Sequence, residues 1–207
     1  MLLQTRRTFL AGALSTAPAV AFAQGAPVVT LLGDSITAGF GLPASAALPA
    51  RLQAELRRLG SRAVIRGAGV SGDTTAGGLA RVDFSVQRDT SLCLVALGGN
   101  DLLQGLDPKR TRANLEKIVA RLKARKIGVV VAGLQPPPVI GRAYAQEFAA
   151  IFPALAKAQG VALYPNLLAG VAQNPALNQR DGFHPNAKGV AVIAKGLAPV
   201  LIKALRA

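Results

Sequence analysis

Cysteine, histidine and tryptophan are almost missing from the sequence. Its 207 residues include one Cys, one His and no Trp. A single Cys excludes a disulfide framework and a cysteine-rich zinc module. A single His excludes a multi-histidine metal site within one chain. We therefore expect no metal site, and we expect Cys93 to be buried in a strand and chemically inert.

Acidic residues are also scarce, since 10 Asp and Glu stand against 24 Lys and Arg, for a formal net charge of +14. Cations crowd residues 109–126, where Glu116 is the one acid. This pattern is typical of a solvated helix face, and its functional alternative is a weak contact with an anionic membrane surface. Only 7 Phe and 2 Tyr are present, so stacking on bases is poorly supported and we expect no nucleic-acid partner.

The N-terminal segment has the layout of an export signal. Arg6 and Arg7 precede an uncharged run from Phe9 to Ala23, and Ala21-Phe22-Ala23 is a small-x-small cleavage pattern. Residues 5–10 resemble a bacterial twin-arginine signal, with the general secretory route as the alternative. The uncharged run is shorter than the roughly 20 residues of a spanning helix. We expect a signal peptide over residues 1–23, cleavage after Ala23, and a periplasmic or secreted single domain over residues 24–207.

Short apolar runs alternate with helical patterns along the rest of the chain. The predicted strands are 28–32, 63–65, 92–97, 127–134 and 161–163. The predicted helices are 46–59, 74–86, 108–126, 142–159 and 186–205. Such alternation, with strands that are apolar on both faces, predicts an α/β fold: a three-layer α/β/α sandwich around a mostly five-stranded parallel sheet. In these sheets, ligands bind beyond the carboxyl ends of the strands.

The residues that follow the predicted strands are the candidate site. Ser35 follows the first strand, and a helix N-cap is its simplest alternative interpretation. Asn100 follows the third strand, where it is also an ordinary turn residue. Asp181 and the single histidine, His184, precede the last helix. The Asp-x-x-His spacing lets the carboxylate orient the imidazole, which leaves the other ring nitrogen free to accept a proton from a serine.

Gly67, Gly69 and Gly72 match the G-x-G-x-x-G pattern of dinucleotide-binding loops. That pattern belongs after the first strand of a unit, with an acidic residue at the end of the next strand. Here it follows the second strand, and no acid appears at the end of the next strand before Asp101. We therefore expect no dinucleotide and no other cofactor. A Gly-rich loop also offers free backbone N–H groups, which suit the stabilisation of an oxyanion.

Together these sites provide a nucleophile, a base, an orienting acid and oxyanion donors, the set needed for acyl transfer by a serine. The strings LLGDSITAGFGL, AGVSGDTTAGGLARVD, LVALGGNDLLQG and DGFHPN resemble the four sequence blocks of the SGNH (GDSL) hydrolases, closest to the thioesterase I, lysophospholipase and arylesterase branch. GDSI in place of GDSL is a conservative departure. The Gly-x-Ser-x-Gly elbow of α/β-hydrolases is absent, because position 37 is Thr.

The resemblance implies a flavodoxin-like SGNH hydrolase fold and a role for each matching residue. It implies that Ser35 is the nucleophile, His184 the base and Asp181 its partner. It implies an oxyanion hole made of the Ser35 N–H, the Gly72 N–H and the Asn100 side chain. The implied enzyme is a secreted serine esterase for aryl or short-to-medium acyl esters and lysophospholipids, with thioesters as further substrates.

The loops without catalytic residues are expected to form the substrate pocket. Leu103, Leu106, Val139 and Ile140 are candidates to line it, although packing of the loops onto the core is an equally good interpretation. Prolines 136–138 leave little backbone freedom, so we expect a stiff wall that favours short acyl chains. The partner is expected to be a small ester or lipid-like substrate, and the protein a monomer. A carbohydrate O-deacetylase and a noncatalytic anion-binding protein stay open as alternatives.

Overall fold

The computed structural model describes residues 25–207, and the predicted signal peptide lies outside that range. Five parallel strands form one sheet in the order β2-β1-β3-β4-β5. The strands are β1 (Val28–Gly33), β2 (Val64–Gly69), β3 (Thr90–Ala96), β4 (Gly128–Ala132) and β5 (Ala162–Tyr164). The helices are α1 (Ser35–Ala38), α2 (Leu48–Arg58), α3 (Thr75–Ser85), α4 (Gly99–Leu103), α5 (Pro108–Ala124), α6 (Arg142–Gln159) and α7 (Ala187–Ala204). Two short 3₁₀ helices cover Ala44–Ala46 and Pro138–Ile140.

Helices cover both faces of this sheet, which confirms the predicted three-layer sandwich. Successive residues of a strand point to opposite faces, so Leu92 and Leu94 pack in one apolar core with α2 and α7. Cys93 and Val95 pack in the other core with α3, α5 and α6. Burial raises the pKa of the Cys93 thiol to about 12, which keeps it protonated and unreactive, as expected.

Several boundaries differ from the predicted ones for local reasons. Helix α2 begins at Leu48 and not at residue 46, because Ala46 belongs to the preceding 3₁₀ turn. Strand β4 ends at Ala132, because β5 ends opposite it at Tyr164 and the Gly133 carbonyl accepts from the Leu167 N–H, beyond β5. Helix α5 starts as predicted, with Asp107 as N-cap and Pro108 at the first helical position. No helix within residues 25–207 combines the length and apolarity that a membrane span requires.

Candidate active site

The nucleophile candidate lies at the first turn after β1. Gly33 ends the strand, and a Cβ there would overlap the Thr37 Oγ1, so only glycine lets α1 turn this closely. The Asp34 carboxylate caps α1 by accepting a hydrogen bond from the Ile36 N–H at 3.0 Å. Ser35 is the first residue of α1 and is 9% exposed. Its N–H is at a helix N-terminus, where backbone donors have no intrahelical partner.

Ser35, His184 and Asp181 form a continuous chain of hydrogen bonds. The Ser35 Oγ lies 2.9 Å from the His184 Nε2, and the His184 Nδ1 lies 2.7 Å from the Asp181 Oδ2. The other carboxylate oxygen of Asp181 accepts hydrogen bonds from the backbone N–H groups of His184 and Phe183, at 3.0 and 2.9 Å. The hydrogen bond from the His184 backbone N–H, followed by the one from its imidazole ring, lowers the pKa of Asp181 to about 2. The carboxylate therefore stays ionised beside the imidazole.

Hydrogen bonds within the loop that contains His184, and from this loop to the segment that follows α1, hold the loop in place. The Gln179 N–H donates to the His184 carbonyl at 2.7 Å. The Gln179 side-chain amide donates to the carbonyls of Phe40 and Pro185, at 2.7 and 3.0 Å. The Phe40 ring packs on the imidazole with centroids 4.6 Å apart. Sequence reasoning missed Gln179 and Phe40, because their role depends on contacts between distant segments.

Two further predicted donors lie beyond the ends of β2 and β3, Gly72 on a loop and Asn100 in α4. Gly72 has φ +81° in the turn that the Asp73 N–H closes onto the Val70 carbonyl, at 3.1 Å. Among the hydrogen bonds of residues 25–207, none uses the Gly72 N–H as a donor. The Asn100 Nδ2 donates one hydrogen bond to the Asp73 carbonyl at 2.9 Å, which leaves its second N–H free.

Two carboxyl groups near this end of the sheet are buried. Asp34 is 4% exposed, and burial raises its pKa to about 6. Asp101 is 1% exposed and accepts hydrogen bonds from the Thr75 N–H at 2.8 Å and from the Thr111 hydroxyl at 3.1 Å. The Thr75 hydroxyl also donates to it. Asp101 thereby ties α4, which contains Asn100, to the first turn of α3 and to α5.

A cavity of about 800 Å³ opens beside Ser35 and His184. Its walls are mainly apolar, with Leu102, Leu103, Leu134, Ile140, Leu167 and Phe183 among the lining residues. Of the residues that the sequence suggested, Leu103 and Ile140 line it, whereas Leu106 and Val139 do not. The Leu106 carbonyl accepts a hydrogen bond from the Tyr144 hydroxyl at 2.9 Å, and Val139 is 88% exposed. Pro136 and Pro137 also line the cavity.

Residues 25–207 contain no cluster of three or more His, Cys, Asp or Glu side chains that could hold a metal ion. The polar groups at the cavity include a serine, a histidine, a buried carboxyl group and amide donors. This set supports proton transfer and stabilisation of a negative oxygen.

Comparison with known proteins gives consistent matches. The model of the GDSL-like lipase/acylhydrolase family matches residues 31–192. An arylesterase of Vibrio mimicus is 35% identical over 89% of this chain and 93% of that protein. Thioesterase 1/protease 1/lysophospholipase L1 of Escherichia coli strain K12 is 37% identical over 86% of this chain and 85% of that protein. The crystal structure of the SGNH-hydrolase family esterase AlinE4 superposes with a TM-score of 0.73 at 43% identity, covering 88% of this chain and 98% of that one.

These matches extend over nearly all of the described residues. They agree with the resemblance carried by the four sequence blocks and with the five-stranded sandwich. The chain belongs to the GDSL-like lipase/acylhydrolase family and is an ester-hydrolysing enzyme of the SGNH type.

Proposed function

We propose that the protein is a secreted serine esterase that hydrolyses carboxylic esters through an acyl-enzyme on Ser35. The observation that carries the proposal is the chain of two short contacts, 2.9 Å from Ser35 to His184 and 2.7 Å from His184 to Asp181. A serine hydroxyl is a weak nucleophile unless a base removes its proton. His184 is the base in position, and Asp181 fixes the tautomer that leaves Nε2 unprotonated.

The reaction follows from these contacts. The Ser35 Oγ attacks the ester carbonyl carbon while its proton moves to the His184 Nε2. The carbonyl oxygen becomes negative and receives hydrogen bonds from the N–H groups of Ser35 and Gly72 and from the free amide N–H of Asn100. The imidazolium then gives its proton to the leaving oxygen, and the alcohol departs. Water, activated by the same histidine, repeats the sequence on the acyl-enzyme and releases the acid.

The substrates we propose are aryl esters and short-to-medium acyl esters, with lysophospholipids and thioesters as further candidates. The apolar lining of the 800 Å³ cavity suits an aromatic or aliphatic group. The related proteins named arylesterase and thioesterase 1/protease 1/lysophospholipase L1 support the same classes. Pro136 and Pro137 restrict the backbone of one wall, which favours groups that fit without opening it.

A carbohydrate O-deacetylase would use the same catalytic groups. The mainly apolar lining of the cavity argues against it, because a sugar needs several hydrogen-bonding partners in its site. A noncatalytic anion-binding protein would not need the serine and histidine in contact. We therefore propose that the partner is a small ester or lipid-like molecule. We also propose that the protein is a monomer and that it makes at most a weak contact with anionic membrane lipids.

Labelling by a fluorophosphonate tests the proposed nucleophile, since only an activated serine reacts rapidly. We expect wild-type protein to be labelled and Ser35→Ala to be unlabelled, folded and without more than a few per cent of wild-type esterase activity. Ser91→Ala, at an exposed position on β3, is the matched control and should behave as wild type. Substantial activity in Ser35→Ala would contradict the assignment.

A series of p-nitrophenyl esters from acetate to palmitate tests the proposed acyl preference. We expect the highest kcat/KM on the acetate-to-octanoate members and weaker activity on acyl thioesters. An optimum at laurate or longer would contradict the stiff-wall argument and leave the ester-hydrolase assignment in place. Acetylated oligosaccharides in the same panel would reveal a deacetylase.

A further inference from the structure

Arg81 on α3 makes four hydrogen bonds with one guanidinium. Its Nε donates to the Asp73 carboxylate at 2.7 Å. Its Nη1 donates to the Ala68 carbonyl at 2.9 Å and to the Ser85 hydroxyl at 3.0 Å. Its Nη2 donates to the Gly33 carbonyl at 2.9 Å. The side chain of Arg81 is 19% exposed and that of Asp73 is 11% exposed, so solvent competes little for these bonds.

The acceptors of Arg81 adjoin all three oxyanion donors of the proposed mechanism. Gly33 is two residues before Ser35 on the same turn, and Asp73 directly follows Gly72. The Asp73 carbonyl is also the acceptor for the Asn100 amide, at 2.9 Å. The guanidinium therefore joins the end of β1, the end of β2 and the loop after β2, and it reaches α4 through Asp73.

We propose that Arg81 is a positioning residue that sets the geometry of the oxyanion hole through Asp73 and the Gly33 carbonyl. The inference rests on the proposed function, because it presupposes that Ser35, Gly72 and Asn100 stabilise an oxyanion. Donors that are already fixed in place are the ones that lower the barrier. A displacement of about 1 Å in such a group can reduce the rate by about 10²-fold.

None of the side chains in the segment between β2 and α3, residues 70–74, is buried, so packing contributes little to fixing its geometry. It follows Gly69, the last residue of β2, where a Cβ would overlap the Ala38 nitrogen, and it contains Gly72 at positive φ. Its backbone is instead held by polar contacts: the Val70 N–H donates to the Gly33 carbonyl at 3.0 Å, and Arg81 binds the same carbonyl. The planar fork of an arginine can bind several acceptors at once, which a lysine ammonium cannot reproduce in the same geometry.

The charge of Arg81 has a second effect. The Asp73 carboxylate belongs to the residue next to Gly72, so alone it would oppose the negative charge that develops on the substrate oxygen. A charge-assisted bond of 2.7 Å from Arg81 compensates that carboxylate. Substitution of Arg81 is therefore expected to affect the transition state more than the bound ester, and so kcat more than KM.

The test compares Arg81→Lys with Arg88→Lys, an exposed arginine a short way along the chain with no side-chain hydrogen bond within the described residues. Concentrations are normalised by complete fluorophosphonate titration, so that only folded, active enzyme is counted. We expect Arg81→Lys to lower kcat on p-nitrophenyl butyrate by about 10–100-fold, up to the loss of about 10²-fold that a displaced catalytic group can cause, with KM nearly unchanged. Arg88→Lys should retain wild-type kcat.

The decisive measurement is the combination with Asn100→Ala. If Arg81 acts through the oxyanion hole, the loss from Asn100→Ala should be much smaller in the Arg81→Lys background than in the wild type, because coupled residues are not additive. Fully multiplicative losses, or a loss only of titratable enzyme, would mean that Arg81 merely supports the fold and would overturn the inference. An Asn100→Ala enzyme with unchanged kcat would instead contradict the proposed function.

Asp73→Asn provides a second test if Arg81→Lys does not accumulate as folded protein. It keeps the shape of the side chain and both backbone carbonyl contacts of Arg81, and it removes the carboxylate charge. We expect a smaller decrease in kcat than for Arg81→Lys, again with KM nearly unchanged and with partial coupling to Asn100→Ala. An Asp73→Asn enzyme with wild-type kcat would overturn the Asp73 part of the inference.

Discussion

The side-chain amide of Asn100 has two N–H groups, and in the proposed mechanism each donates to a different acceptor. One N–H is bonded to the Asp73 carbonyl, and in the proposed mechanism the other meets the oxyanion. Asn100→Ala is therefore expected to lower kcat by roughly 10²–10³-fold, because it removes a donor and releases the Asp73 loop. KM should change little. Steady-state kinetics on an aryl ester measure both parameters.

Gln104→Ala, at the exposed C-terminal end of the same helix, is the control for Asn100 and should leave kcat unchanged. Asn100→Asp should be at least as harmful as Asn100→Ala, because it places a negative acceptor where a donor is needed. A raised KM with intact kcat in both Asn100 variants would show that Asn100 binds substrate or shapes the turn, and not the transition state.

The buried carboxyl group of Asp34 should make the stability of the protein depend on pH. Burial raises the pKa of its carboxyl to about 6 in the folded protein, against about 3.9 in an unfolded chain. Between these values the folded state binds more protons, so this contribution to stability is present below about pH 4 and is lost as the pH rises through about 6, a loss of about 3 kcal/mol. Asp181, whose pKa is lowered to about 2, is ionised in both states over most of that window and adds little slope.

Urea unfolding of wild type and Asp34→Asn at several pH values between about 4 and 7 tests this linkage. The amide keeps an acceptor for the Ile36 N–H and cannot ionise, so the free energy of unfolding should depend less on pH in the variant. A slope equal to that of the wild type would exclude Asp34 as its source. The acid side of the rate–pH profile should persist in Asp34→Asn, because the base that must be neutral is His184.

At the scale of secondary-structure elements, Asp101 connects three helices. Asp101→Ala removes the acceptor for the buried Thr75 N–H and for the hydroxyls of Thr75 and Thr111. Unpaired buried donors cost about 1–3 kcal/mol each, so we expect a loss of about 3 kcal/mol or more in the free energy of unfolding. Chemical denaturation measures it.

Asp83→Ala is the contrasting variant for Asp101. Asp83 pairs with Arg121 and Arg125, but its side chain is 60% exposed. Exposed ion pairs contribute at most about 1 kcal/mol, so this variant should remain close to wild type. Equal losses in the two aspartate variants would contradict the view that Asp101 connects the helices around the site.

The elements that sequence could predict are those with enough residues to show a period. The five strands and the five longer helices are predictable because apolar positions repeat over several residues in most of them. The short helices α1 and α4 escape prediction, since four or five residues do not complete a recognisable pattern. Strand β2 is predictable only in part, because its last four residues are Arg66 followed by Gly and Ala residues, which have low strand propensity.

At the scale of the whole molecule, the parallel sheet explains why a few loop residues indicated the site. All five strands end at one edge, so residues that are distant in sequence meet there, as Ser35 and His184 do across 149 positions. Arg81 and Gln179 could not be found in this way. Their side chains bind backbone carbonyls, and those carbonyls carry no sequence signal.

The positive charges of α5 can also be considered at the scale of the whole molecule. Several cations of α5 are engaged within the protein: Arg112 with Glu116, Arg121 with Asp83, and Lys123 with the Gln159 carbonyl. Arg121 and Lys123 thus contact neighbouring elements, whereas Arg112 pairs within α5 itself. The proposed membrane contact would have to use the remaining exposed cations.

The last prediction concerns export of the whole chain. Arg6 and Arg7 precede the uncharged run that ends at Ala23, and the proposed twin-arginine route requires both arginines. The double substitution Arg6→Lys with Arg7→Lys should leave precursor in the cytoplasm, although the charge of the segment is unchanged. Fractionation and N-terminal sequencing of the exported protein measure the effect, and the mature chain should begin at Gln24.

The double substitution Arg57→Lys with Arg58→Lys, at an arginine pair on α2, is the matched control and should not reduce export. Undiminished export of the variant that carries both N-terminal lysines, still processed before Gln24, would assign the chain to the general secretory route, because that route needs only positive charge followed by an apolar run.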